Sequence, residues 1–248
     1  MQREAMRRSG AMTLVLTAHG SKDPRSAANA RAVAGDLARM RPGLDVRPAF
    51  CELNTPSLAD VLRDLPGGAV VTPLLLANAY HARVDIPAQI ARSGAEVALA
   101  RVLGEDPRLV SLLRQRVTDL GVSRHDDRVG VLVAAIGSSD PRANARTRQV
   151  APQLLARTSW AGATTAFVTR PEPSLAEAAG RLRRQGARRV VIAPWFLAPG
   201  LLPDRVREFA DDAGIELAEP LGAHRLVAET VLDRFDQALA SSAGRIAA

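Results

Sequence analysis

The sequence predicts an α/β protein built from two related flavodoxin-like domains, each with a parallel sheet, and an active-site cleft between them. Two observations predict it. Apolar runs of strand length alternate with amphipathic helices along the whole chain, which implies parallel sheets covered by helices. The pattern also repeats. LVLTAHGSKDPR, holding His19, returns as VLVAAIGSSDPR, with Ile136 in place of the histidine. Pro56-Ser57-Leu58-Ala59 returns 117 residues later as Pro173-Ser174-Leu175-Ala176, the same interval that separates His19 from Ile136. Leu103-Gly104 returns as Leu221-Gly222. Repeat arrays have periods of roughly 20–50 residues, so this unit is a whole domain. The expected domains are 11–120 and 129–248, joined by the polar linker GVSRHDDR at 121–128.

The first half opens with a strand, Met12–Ala18. Asp23-Pro24 then supplies an N-cap and a proline at the first helical position, for a helix to about Met40 that Pro42-Gly43 stops. Leu44–Phe50 is a second strand, and Ser57 caps a helix to about Leu65. Gly68–Ala77 is apolar throughout, as a parallel strand buried on both faces should be. Asp85 is expected to cap a short helix ending near Gly94; strand Glu96–Val102 and helix Pro107–Leu120 follow. The second half repeats this order. Its strands are Val129–Ala135, Thr164–Thr169, Arg189–Leu197 and a last one near Ile215–Ala218; its helices start at Asp140-Pro141, Ser174 and Pro203, with a final one from about Ala223 to Ala240.

Composition narrows the function. Apolar runs such as Val70–Ala79 fall short of the ~20 residues of a membrane span. The basic start, MQREAMRRSG, is followed by an apolar stretch too short for a signal peptide and with no cleavage-type site. Residues 1–10 are read as an unstructured leader or as the product of an upstream start codon, with Met6 and Met12 as alternatives. The single cysteine, Cys51, excludes an internal disulfide and fits the reducing cytoplasm. Net charge is +7, and Lys22 is the only lysine. Arginine suits carboxylate or phosphate, so an acidic ligand is expected. Nucleic acid is not expected: aromatics make up only 3% and the arginines are dispersed.

Ligands of parallel sheets sit beyond the carboxyl ends of the strands. His19 follows the first strand, Glu52 the second and His81 the third. Imidazoles ligate iron, cobalt, nickel and zinc, and a carboxylate completes such a site or accepts a proton. The second half carries Ile136, Thr169 and roughly Leu202 at the matching places, so the chemistry belongs to the first half or to the cleft. His125 falls in the linker, His224 opens the last helix, and Cys51 reads as a small core side chain. The chain has no GxxxxGK, GxGxxG or GxSxG motif. Ser21 and Ser138 are expected to shape turns.

AHGSKDPR around His19, FCELNTPSL with Glu52 and PLLLANAYHARVDIP around His81 together resemble the sirohydrochlorin chelatase family, the CbiX- and SirB-like chelatases without a prosthetic group. The resemblance spans nearly the whole chain and matches the long form with two related halves. The family often has glycine shortly before the second histidine, where this chain has Asn78-Ala79-Tyr80. The resemblance implies a chelatase-type fold and a lyase that inserts Fe2+ (for sirohaem) or Co2+ (for cobalamin) into sirohydrochlorin, an acidic tetrapyrrole. No cofactor is permanently bound; the divalent metal is a substrate. His19 and His81 would hold the metal, and His19 with Glu52 would be catalytic. Leu76, Ala77, Asn78, Ala79, Tyr80 and His81 would line the macrocycle with Glu52, and Arg25 and Arg83 would meet its carboxylates. A monomer is expected, since the duplication supplies both halves. The competing expectation is a metal or tetrapyrrole carrier without catalysis; a periplasmic-type two-lobed binding protein fits poorly without a signal peptide.

Overall fold

A computed structural model describes residues 12–65, 68–169 and 172–246. The expected leader at 1–10 lies outside the described residues. Strands β1 (Thr13–Ala18), β2 (Asp45–Phe50), β3 (Ala69–Pro73) and β4 (Val97–Leu99) form one parallel sheet in the order β2-β1-β3-β4. Strands β5 (Val129–Ala135), β6 (Gly162–Phe167), β7 (Arg189–Pro194) and β8 (Glu216–Leu217) form a second in the order β6-β5-β7-β8. The two orders are the same, as a duplication requires. The central strands explain the apolar runs: every residue of β1 and of β5 is buried.

The helices begin where the sequence places caps. In α1 (Pro24–Met40), Asp23 accepts from the backbone N–H of Arg25. In α2 (Leu58–Arg63), Ser57 accepts from Asp60. After β3 the chain forms a π turn, His81–Asp85, and runs on into α3 (Ile86–Ser93), which ends on Gly94 in the left-handed region. α4 (Pro107–Thr118) carries an Asp106 cap. The second half contributes α5 (Pro141–Thr147), α6 (Val150–Leu155), α7 (Leu175–Arg184), α8 (Leu201–Ala213) and α9 (Arg225–Ile246). Ser174 and Glu177 form a complete capping box on α7. One expectation fails here: Asp85 is helical in its own backbone and caps nothing.

The units of packing differ from the units of sequence. One compact unit reaches Gly104 and takes in the chain from Ala228; the other is Glu105–Val227. Each unit therefore holds the last helix of the other sequence repeat. In the first, Arg41 pairs with Asp236 at 2.6 and 2.7 Å and lies over the Phe235 ring, while Arg234 donates to the carbonyls of Val102 and Leu103. In the second, the buried Arg114 of α4 donates to the carbonyls of Leu154 and Gln153 at the end of α6. The expected linker 121–128 packs within this second unit: Trp160 Nε1 donates to the Ser123 carbonyl at 2.9 Å, and Ser159 N–H to that of Arg124 at 2.8 Å. An amphipathic helix carries no mark of which sheet it will cover, so the local pattern could not show this.

Phe235 is 1% exposed on α9, within the first unit. Phe235→Ala is expected to cost about 3–5 kcal/mol in urea unfolding. Hydrogen exchange should show the loss of protection in β1–β4 before β5–β8, although the substitution lies at the far end of the sequence.

Candidate metal and tetrapyrrole site

β1 pairs with β2 on one side and β3 on the other, with Ala18 opposite Phe50 and Thr17 opposite Pro73. Three neighbouring strands thus end on one edge, and the residues beyond them come together. The β1–β2 ladder continues past the strands: Cys51 N–H donates to the Ala18 carbonyl and Glu52 N–H to that of His19. Gly20 follows His19 at φ +98°, and a Cβ there would sit 1.8 Å from the Glu52 carbonyl oxygen. Only glycine lets the two loops approach this closely. Asn54 accepts from Ser21 N–H at 2.7 Å, and the Ser21 hydroxyl accepts from Asp23 N–H at 3.0 Å. Between Glu52 and Asn54, Leu53 holds φ +62° and is exposed. A branched residue in that region carries strain that the surrounding bonds must offset.

The rings of His19 and His81 lie 3.8 Å apart between centroids, tilted by 49° to one another. His19 Nδ1 lies 3.3 Å from Glu52 Oε1, but the two are not aligned as a hydrogen bond, and this buried nitrogen has no hydrogen-bond partner among the described residues. His81 differs. Its Nδ1 lies 3.2 Å from Asp85 Oδ2, and Gln89 Nε2 donates both to Asp85 Oδ1 at 3.0 Å and to the Cys51 carbonyl at 3.2 Å. Burial pushes the Asp85 carboxyl up, but the hydrogen bonds from Gln89 and His81 outweigh it and hold the group below the usual carboxylate range. No cluster of three or more His, Cys, Asp or Glu side chains forms a ready metal cage among the described residues. An ion held by the two imidazoles would keep coordination positions open.

Leu76, Ala77, Asn78 and Ala79 are half-buried in the loop before the π turn. Tyr80, the chain's one tyrosine, is exposed and stands edge-on to His81 at 5.7 Å. Arg83 is exposed on the π turn. Arg25 is engaged: its Nε and Nη2 both reach the Asp23 carboxylate, whose pKa is lowered chiefly by that side-chain bond. Arg108 holds Asp106 in the same way, so Asp-Pro-Arg is a helix-start device. Burial, then the charges of Asp85 and Glu52, push the Cys51 thiol up to about 12. It is therefore a neutral thiol near pH 7 and is suited neither to attack nor to ligation. Sequence reading missed Asp85 and Gln89. The spacing His81, Asp85, Gln89 was the available signal, since residues four apart share a helix face.

The second unit carries the same frame without the reactive groups. Ile136 is exposed where the first unit has His19, and so is Leu201, which stands beside the expected Leu202 and matches His81 when counted back from the helix-end glycine. The CbiX family model matches residues 13–120 and again 130–238. The chain belongs to the CbiX family. It is 28% identical over 243 residues to the sirohydrochlorin ferrochelatase of Priestia megaterium, covering 91% of this chain and 90% of that one. It is 25% identical over 249 residues to the sirohydrochlorin cobaltochelatase of the same organism, covering 92% and 80%. Among solved structures, SirB from Bacillus subtilis with Fe3+ matches with a TM-score of 0.80 at 23% identity, covering 94% of this chain and 97% of that one. CbiX from denitrifying bacteria matches with a TM-score of 0.67 at 23% identity, covering 91% and 98%. The two-sheet fold is thus that of the chelatases.

Two outcomes check this geometry. Gly20→Ala combines a disfavoured φ with a backbone collision, and is expected to lower stability by about 2–4 kcal/mol in chemical denaturation. Cys51 should resist iodoacetamide at pH 8 in the folded protein and label fully once unfolded, as mass spectrometry would show.

Proposed function

We propose that this protein is a sirohydrochlorin chelatase, a lyase that inserts Fe2+ or Co2+ into an acidic tetrapyrrole. The observation that carries the reading is the adjacent pair of imidazoles with a carboxylate 3.3 Å from one of them, in a chain of the CbiX family. Insertion forms bonds from the metal to the ring nitrogens and releases two N–H protons. The site must therefore hold a divalent ion loosely and accept protons beside the ring. His19 and His81 hold the metal as neutral imidazoles. His19 takes one of the two pyrrole protons, and solvent takes the other. Glu52 stands next to His19 to stabilise the imidazolium and pass the proton outward.

Few protein donors suit transfer better than storage. With no cage of three or more such donors among the described residues, ring nitrogens can enter the coordination sphere while the imidazoles leave it. The loop Leu76–Ala79 and the exposed face of Tyr80 line the macrocycle. Arg83 meets a substrate carboxylate. Arg25, paired with Asp23, is the second candidate for that part. Two imidazoles accept iron or cobalt alike, and the relatives bear both names.

The test follows absorbance after purified protein is mixed with sirohydrochlorin and ferrous iron or cobalt. Wild-type protein should accelerate metallation over the spontaneous rate with at least one ion. His19→Ala and His81→Ala should each lower the rate by at least about 100-fold, the range for loss of a positioned acid–base group, while tetrapyrrole binding by fluorescence persists. No acceleration by wild-type protein, with the ring still bound, would favour a carrier.

A further inference from the structure

We propose that Asp85, fixed by Gln89, is the positioning residue of His81: it sets the imidazole tautomer and aims its second nitrogen at the metal. The inference rests on the chelatase reading for its effect on rate, but on geometry alone for the tautomer. A carboxylate only accepts, so His81 Nδ1, 3.2 Å from Asp85 Oδ2, must carry the ring proton. Nε2 is then left with its lone pair. A carboxylate behind a ligating histidine fixes the ring and raises its basicity.

Two features show that Asp85 is held for this purpose. Gln89 binds the other carboxylate oxygen at 3.0 Å and ties it to the Cys51 carbonyl at 3.2 Å, one residue before Glu52. The chain Cys51–Gln89–Asp85–His81 thus links the loop carrying Glu52 to the second imidazole. The π turn, closed by Ile86 N–H on the His81 carbonyl, brings Asp85 beneath the ring.

The second unit supplies the contrast. α3 and α8 both end on a left-handed glycine, Gly94 and Gly214. Counted back from those glycines, Ile86 matches Val206, and both are fully buried. In the same count Asp85 and Gln89 fall on Arg205 and Phe209. The frame of the helix is kept, while the carboxylate and the amide have gone together with the histidine. A pair that served the helix alone would have had no reason to leave with it. His19 lacks any such orienting bond, so of the two imidazoles only His81 is held in one orientation by a carboxylate.

The experiment uses the full chain with nitrogen-15-labelled histidine, assigning His81 by the signal lost in His81→Gln. Long-range nitrogen–proton spectra of wild-type protein should show the proton on Nδ1 of His81. Asp85→Asn, nearly isosteric, should shift the ring toward the Nε2–H form and weaken binding of Co2+ alone. It should also lower kcat for metallation about 10–100-fold while KM for sirohydrochlorin moves less than about twofold. Asp85→Glu should recover part of the rate, and Gln89→Leu should give a smaller loss of the same kind. An unchanged tautomer in Asp85→Asn overturns the proposal, as does a changed tautomer with wild-type kcat. Wild-type protein that accelerates no metallation overturns the chelatase reading and the rate effect with it; the tautomer is still decided by the spectrum.

Discussion

The parallel pairing of β1 with strands on both sides is the constraint on which the site depends. Parallel strands in register end together, and a crossover connection leaves each carboxyl end as a loop on the same edge. His19, Glu52 and His81 lie 33 and 29 residues apart in the chain and meet only because β2, β1 and β3 are neighbours. Burial keeps that order fixed. All six residues of β1 and all five of β3 are buried, and each large aliphatic side chain contributes about 1.5–3 kcal/mol. That stabilisation offsets the less favourable backbone beyond the strands, Gly20 against Glu52 and Leu53 at positive φ.

The duplicate shows which features belong to the frame. Arg31 lies over the Phe50 ring and donates to the Thr55 carbonyl; 117 residues on, Arg148 lies over Phe167 and donates to the Glu172 carbonyl. The Ser21 and Ser138 hydroxyls both accept from the N–H of the aspartate that caps the next helix. These devices set the strand-to-helix turns and survive in both copies. The groups that differ are those at the tips: histidine against isoleucine, glutamate against threonine, and the His81–Asp85–Gln89 face. Selection on folding acts on the frame and is indifferent to the tips, so the comparison separates structure from chemistry within one molecule.

Much of this was legible in the sequence because it is local. Continuous apolar runs give buried parallel strands, and Asp23, Ser57, Asp140 and Ser174 announce helix starts through short-range hydrogen bonds. The candidate residues His19, Glu52 and His81 followed from strand ends. What was not legible depends on tertiary choice. The helix at 107–118 packs with the second unit and the last helix with the first, although each has an ordinary amphipathic face. Asp85 looks like a cap in sequence, being acidic and two residues before a proline; only the turn geometry shows that it faces His81. Arg25 looks like a substrate-facing cation in sequence, and only the folded turn shows that Asp23 holds it.

The π turn explains a mismatch in the repeat. From the strand-end proline to the helix-end glycine, Pro73 to Gly94 is one residue longer than Pro194 to Gly214. Counted from the strand, His81 matches Leu202; counted from the glycine, it matches Leu201, where the regular helix α8 begins. One extra residue in a helix is absorbed as a π turn, with hydrogen bonds lengthened to five residues, and such turns concentrate at functional sites. Among the described residues the first unit has the π turn and the second an unbroken α-helix over the same stretch. The wider turn rotates the residues before it relative to the helix after it. Ile86 thereby keeps its buried place in the core while His81 is turned toward His19. Losing the histidine would remove the reason to tolerate the poorer hydrogen bonds of the wider turn, and the second copy has the regular geometry.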